Sequence, residues 1–351
     1  MAETIGMGLQ GLGQGLRVAW YFGLNRVVAW QASRLAPKPP NSPASSQPKR
    51  PMPTTQEVLA DLAQLIVRDA TAVRDGLYPP MPDGEGVSEH LTRARRMLAD
   101  LPATLERRHV RDATTVAEVA AEADLPEYYT QDFHFQTGGY LTEASAKLYD
   151  VQVETLFLGG AAPMRREALR PIAGFMRGRD QRGVALLDVG CGTGRLLHDC
   201  RIAWPAMQLT GLDLSQTYLA EAQRHMRRLR PAELISGNAE AMPVADASQD
   251  IVVCTYLFHE LPPLVRRRVA SEMARVLRPD GLLVFIDSLQ LGDRPGWDGL
   301  LETFPVRFHE PYFRHYITDD LDAVFANAEL VRAAAWTSFF SKVMVRRKSS
   351  M

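Results

Sequence analysis

Asp188, Gly190, Gly192 and Gly194 carry the sharpest chemical signal in the chain, within the run Leu186-Leu187-Asp188-Val189-Gly190-Cys191-Gly192-Thr193-Gly194. Glycines at this spacing let the backbone turn tightly and let a ligand press against the main chain. A helix that opens after the turn adds unpaired N–H groups. A pyrophosphate-binding turn needs its third glycine at 195, where this chain has Arg195. A carboxylate two residues ahead of the first glycine suits a ligand bearing a cationic amino group instead. Asp213, in Gly211-Leu212-Asp213-Leu214-Ser215, can accept hydrogen bonds from both hydroxyls of a ribose. Asn238 and Ala239 follow the apolar run AELIS. A short polar side chain and a backbone N–H at that place can meet the edge of an adenine.

The elements that must position these groups are legible in the patterning. From Val184 on, short apolar runs alternate with amphipathic helices: VALLDV, LLHDCRIAW, QLTGLDL, TYLAEAQRHMRRL, AELIS, DIVVCTYL, LVRRRVASEMARVL and GLLVFIDS. Such alternation implies a parallel sheet covered on both faces. AELVRAAAWTS and FFSKVMVRR read as a closing pair of strands. Upstream, residues 54–180 read as a helical cap region, with helices over 56–73, 90–101, 145–159 and 164–176 and an N-cap at Thr54 or Thr55. Residues 35–53, rich in Pro, Ser and Lys, read as a linker.

Taken together, LLDVGCGTG, GLDLS, GNAEAMPVADASQDIVVC and EMARVLRPDGLLVF resemble class I S-adenosylmethionine-dependent methyltransferases, in particular the type 11 group that includes quinone-biosynthesis enzymes. The resemblance spans residues 184–288. It implies an α/β fold: a Rossmann-like, seven-stranded, mostly parallel sheet with helices on both faces. To this are added an N-terminal helical extension and a cap insertion after the fifth strand, at about residues 290–317. It implies S-adenosyl-L-methionine as cofactor, with Asp188, Gly190, Gly192 and Gly194 on the methionine portion, Asp213 on the ribose, and Asn238 and Ala239 on the adenine. Many relatives have Asp where this chain has Asn238; the Asn carbonyl can still meet the adenine amino group.

Methyl transfer from such a cofactor is an in-line displacement, so the protein mainly orients the acceptor and removes a proton. His259, just after DIVVC, has an ordinary pKa suited to taking that proton, or it caps the next helix. Two aromatic segments, Phe133–Leu141 and Phe304–Phe313, look specialised. With Tyr256, their His134, Gln136, Tyr140, His309 and Tyr312 are the candidates for an acceptor pocket. Any single aromatic is as well explained by core packing. The expected acceptor is a small, lipophilic or aromatic molecule. A protein or RNA methyltransferase, or a non-catalytic cofactor-binding scaffold, are the competing readings.

The formal net charge of -1 lacks the basic footprint of a nucleic-acid binder. Three cysteines without CxxC spacing point to a reducing, cytoplasmic setting, and no ligand set at metal-binding spacing is present. Residues 5–32 carry only Arg17 and Arg26 as charges. Their stripe of Leu9, Leu12, Leu16, Trp20, Leu24 and Val27 fits peripheral contact with a membrane surface, with the arginines snorkelling. It fits equally a helix docked on the protein body or on a second subunit. The sequence sets no oligomeric state.

Overall fold

The computed structural model describes residues 2–35, 48–82, 85–110, 116, 125–136 and 138–349, without the side chains of residues 2–9 and 306. Residues 36–47 of the expected linker lie outside the described residues.

The N-terminal part is helical: α1 (Ala2–Leu35), α2 (Thr55–Arg74), α3 (Val87–Val110), α4 (Glu143–Leu156), α5 (Ala161–Arg166) and α6 (Leu169–Met176). A capping box, in which Thr54 and Glu57 satisfy each other's backbone N–H groups, starts α2. Sequence patterning predicts one helix over 164–176; the structure has two. Pro171 lacks the N–H that would continue the ladder onto Glu167. A buried ion pair ties this layer together. Arg166 donates twice to Asp69, at 2.7 and 2.8 Å, and Tyr78 and Gln10 donate to the same carboxylate.

The docking of α1 corrects the sequence reading of its face. Gln10, Gln14, Tyr21 and Leu24 turn inward, while Leu12 and Leu16 are 65% and 66% exposed and Val27 and Trp30 also face outward. Of the predicted stripe, Leu24 is buried. Arg17 does not snorkel: it turns inward and pairs with Glu154 at 2.9 Å. The docked face is polar over Gln10, Gln14 and Arg17, where α2 and α4 offer buried carboxylates, and apolar at Tyr21 and Leu24, which pack on Ala94, Met97, Leu148 and Val151.

The sheet is built from β1 (Ala185–Val189), α7 (Arg195–Ala203), β2 (Gln208–Asp213), α8 (Gln216–Met226), β3 (Glu233–Ser236), β4 (Gln249–Thr255), α9 (Pro263–Val276) and β5 (Leu277–Ser288). It continues through α10 (Asp298–Arg307), α11 (Phe313–Tyr316), α12 (Leu321–Asn327), β6 (Leu330–Ser338) and β7 (Ser341–Lys348). The strand order is β3-β2-β1-β4-β5-β7-β6, with β7 antiparallel to its neighbours and the rest parallel. Successive residues of a strand face opposite ways. Leu187, Val189, Val252, Cys254, Leu283 and Phe285 therefore fill one core, and Leu186, Ile251, Val253, Leu282, Val284 and Ile286 the other. The winding reverses at β1, between β2 and β4, which opens a crevice beyond the strand ends. Helices α4, α10 and α11 stand over that crevice and supply its walls.

Candidate functional site

The glycine turn sits at the end of β1. Gly190 and Gly194 have φ of 72° and 73°, a region that favours glycine. At Gly194 a Cβ would stand 2.8 Å from Ala222 Cβ, so a side chain there would push α8 away. The Gly192 N–H donates to Asp213 at 2.8 Å, and the Ser215 N–H donates to the other Asp213 oxygen at 2.8 Å. Burial raises the Asp213 carboxyl above its usual range against these backbone hydrogen bonds.

Asp188 is 1% exposed, and its Oδ1 has no hydrogen-bond partner. Burial, helped by the charge of Asp213, pushes its carboxyl up to about 7. A buried, unpartnered carboxylate oxygen at the cavity wall is what a cationic amino group would satisfy. Asn238 uses its carbonyl to accept the Glu240 N–H at 2.9 Å, and Tyr128 OH lies 3.5 Å from it. A carbonyl oxygen has a second lone pair for an adenine amino group.

These groups line a two-lobed cavity. One lobe, about 110 Å³, is walled by Tyr129, Asp213, Asn238, Ala239 and Leu257. The other, about 300 Å³, runs past Asp188 to Phe304, Phe308, Phe313, His134 and His259. Tyr149, Gly190, Gly192, Tyr256 and Glu260 face both lobes. Gly194 lines neither; it shapes the turn from behind.

Sequence reasoning missed how the helical layer closes this site. Arg195 donates to Asp150 at 2.9 Å and pairs with Glu85, while Thr193 donates to Asp150 at 2.8 Å. His225 completes the clamp at the Thr193 carbonyl, 2.7 Å away. Arg195 thus ties α4 to the glycine turn. The run Glu127-Tyr128-Tyr129 carried the signal that could have found the two wall tyrosines.

At the end of β4 the chain makes a tight turn through Tyr256, whose φ is 56°. Asp287, from β5, braces it: one oxygen accepts the Phe258 N–H at 2.8 Å, and the other lies 2.6 Å from His259 Nδ1. Buried Arg266 grips the Phe258 carbonyl at 2.8 Å from the other side and pairs with Asp319. Burial disfavours a charged His259, but the Asp287 charge and hydrogen bond outweigh it and lift its pKa to about 9, which corrects the ordinary value expected from the sequence. Tyr140 donates to Glu260 at 2.5 Å. Burial raises the Glu260 carboxyl, partly offset by His259 and Tyr140. Burial and the nearby His259 and His309 lower His134 to about 3.

Of the predicted acceptor residues, His134, Tyr140 and Tyr256 face the cavity, as does His259, the expected proton acceptor. Gln136, His309 and Tyr312 do not line it. Gln136 is buried and donates to the Ser145 carbonyl at 3.2 Å. Gln131 bridges the other two, 3.0 Å from His309 Nε2 and 3.1 Å from the Tyr312 hydroxyl. Gln136 thus anchors the first aromatic segment to α4, and Gln131 holds the second to the stretch just ahead of the first. The spacing of the sequence shows no metal-ligand set, yet the fold gathers His134, Glu260 and Glu310 within reach of one another.

Residues 186–281 match the family model described as a methyltransferase domain. Over 102 residues the chain is 37% identical to a malonyl-(acyl-carrier protein) O-methyltransferase of Xylella fastidiosa, covering 28% of this chain and 33% of that protein. Over 138 residues it is 34% identical to a demethylmenaquinone methyltransferase of Listeria welshimeri, covering 38% of this chain and 57% of that protein. The chain thus spans between a third and just over half of the length of these curated relatives. Among solved structures, a SAM-dependent methyltransferase from Aquifex aeolicus matches with a TM-score of 0.39 and 18% identity, over 53% of this chain and 93% of that one. Residues 186–281 are a class I S-adenosylmethionine-dependent methyltransferase domain, and S-adenosylmethionine is the cofactor of that class.

Proposed function

We propose that the whole chain is an S-adenosylmethionine-dependent methyltransferase that acts on a small, lipophilic or aromatic acceptor by in-line transfer. When bound, the cofactor supplies a methyl group on a positively charged sulfur, already activated for displacement. The observation that carries the reading is the two-lobed cavity, whose lobes meet at Gly190 and Gly192. In it Asp188 would hold the amino group, Asp213 the ribose, and Asn238 with Ala239 the adenine. The larger lobe, walled by Phe304, Phe308 and Phe313, would hold the acceptor against Tyr149 and exclude water. His259, oriented by Asp287, is the group placed to receive the acceptor's proton in its neutral form, which its raised pKa of about 9 makes the major form only in alkaline solution.

The relatives are named for demethylmenaquinone and malonyl-acyl-carrier protein. An aromatic, apolar wall favours an acceptor of the first chemical type. The outward Leu12, Leu16, Val27 and Trp30 of α1 support a peripheral membrane contact by which such an acceptor would be met. Arg26 and Arg34 lie on the same helix, and none of its described side chains is acidic, which suits an anionic lipid surface. Among the described residues no helix is long and apolar enough to cross a membrane.

The test is incubation of the protein with methyl-labelled S-adenosylmethionine and lysate, followed by partition. Enzyme-dependent label in the organic fraction is expected. Label confined to protein or RNA would overturn the acceptor class.

A further inference from the structure

Glu310 is 3% exposed, and neither of its carboxylate oxygens accepts a hydrogen bond. Buried polar groups without a partner are rare, and a bound ion is one of the few things that satisfies them. Its Oε1 lies 3.1 Å from His134 Nε2, which lies 3.9 Å from Glu260 Oε1. We propose that His134, Glu260 and Glu310 bind a divalent transition-metal ion at the acceptor end of the cavity.

The geometry fits one ion. Donor atoms about 2.1 Å from a common metal stand roughly 3–4 Å apart, and the three donors here lie within 4.8 Å of one another. The chain is bent to bring them together. His134 and Phe135 both have positive φ, 57° and 55°, which non-glycine residues rarely adopt. The His134 N–H then donates to the His309 carbonyl at 3.2 Å, which sets its side chain beside the next residue, Glu310. Tyr140 donates to Glu260 and fixes its orientation, as partners behind metal ligands do.

The neighbours leave the cluster short of positive charge. Asp287 is occupied by His259 and the Phe258 and Ser288 N–H groups. Arg266 is engaged by Asp319 and two carbonyls. Among the described residues, the basic side chains within 4 Å of Glu260 and Glu310 are His134 and His259 alone. A second cluster, Glu85, Asp150 and His225, also joins one imidazole to two carboxylates but is filled by Arg93 and Arg195. That contrast singles out the first cluster.

One imidazole and two carboxylates suit Mn²⁺, Fe²⁺ or Zn²⁺. Three protein ligands leave coordination positions open, and His134 and Glu260 turn theirs toward the cavity. An ion there would polarise an acceptor oxygen and ease loss of its proton. That role rests on the methyl-transfer reading; the binding site does not.

The test uses the full chain, stripped with chelator and titrated by calorimetry with Mn²⁺ and with Zn²⁺. The visible spectrum of added Co²⁺ reports ligand geometry. One ion per chain is expected. Glu310→Gln and His134→Gln should each weaken binding roughly tenfold or more. Their affinity for S-adenosylhomocysteine, measured in parallel, should be unchanged, which shows an intact fold. Absence of saturable binding by the wild type, or equal binding by both variants, overturns the site. Metal binding without methyl transfer to any acceptor would overturn the proposed function and leave the site standing.

Discussion

Asp287 and His259 form a buried pair, with Asp287 Oδ1 2.6 Å from His259 Nδ1. The carboxylate accepts from Nδ1, so Nε2 is the nitrogen that faces the cavity. The same carboxylate holds the Phe258 N–H, so one residue sets both the tautomer and the turn.

Asp287→Asn keeps the volume but removes the charge that orients His259. Above about pH 9, where His259 is neutral and able to take a proton, the turnover rate should fall by about 10²–10⁴-fold, the range for loss of a general base. Affinity for S-adenosylhomocysteine should stay within about threefold, because Asp287 lies outside the nucleotide lobe. Single-turnover kinetics beside calorimetry separates the two. Equal losses in both would make Asp287 a structural residue only.

Asp213→Ala deprives the ribose of its acceptor. The loss should be about 2 kcal/mol, or roughly 30-fold in dissociation constant. Calorimetry with S-adenosylhomocysteine checks it; unchanged affinity would mean that the ribose sits elsewhere.

Cofactor affinity should depend on pH through Asp188. Its carboxyl, pushed up to about 7, is largely protonated below that pH in the free protein. A cationic amino group binds the charged form. Affinity should therefore rise from pH 6 to about pH 8, while the amino group is still cationic, and decline as pH falls through 7, approaching about tenfold per unit. Asp188→Asn should bind weakly and show no such slope. A flat wild-type profile from pH 6 to 8 would remove Asp188 from the amino-group site.

The Asp69–Arg166 pair should govern acid stability. Burial opposes the Asp69 charge, but the Arg166 charge and the hydrogen bonds from Arg166, Gln10 and Tyr78 outweigh it and hold the carboxyl below its usual range. A lowered folded pKa contributes stability that is present above the unfolded value of about 4. That contribution is lost as pH falls through the folded value. Arg166→Ala strands a buried carboxylate and should cost about 3–5 kcal/mol in urea unfolding at pH 7. A cost below about 1 kcal/mol would show that the pair is not what fastens the helical layer.

The outward face of α1 should hold the protein on anionic vesicles. Leu12→Ser combined with Leu16→Ser removes two exposed leucines with little effect on the docked face. Co-sedimentation with vesicles containing phosphatidylserine should drop several-fold, with S-adenosylhomocysteine affinity retained. Equal sedimentation would assign the stripe to another contact.

The sequence by itself determined which residues are the candidates for the cofactor half of this protein. A glycine turn, an acid after the second strand and a polar residue after the third are local signals, each read within one strand–turn unit. Their spacing survives in the linear chain because backbone geometry sets it. The alternation of apolar runs likewise determined a two-faced sheet, since a parallel strand buried on both sides must be apolar throughout. Tertiary structure alone decided the rest. Asp287, Glu310 and His134 come from separate segments and meet His259 and Glu260 only when β5, the α10–α11 region and the 133–135 bend converge. Gln136, His309 and Tyr312 look equally chemical in sequence, yet they face Ser145 and Gln131 behind the wall. The docked face of α1 was hidden for the same reason: its polar part docks where buried carboxylates such as Asp69 and Glu154 await it, and no helical periodicity records a partner on another element.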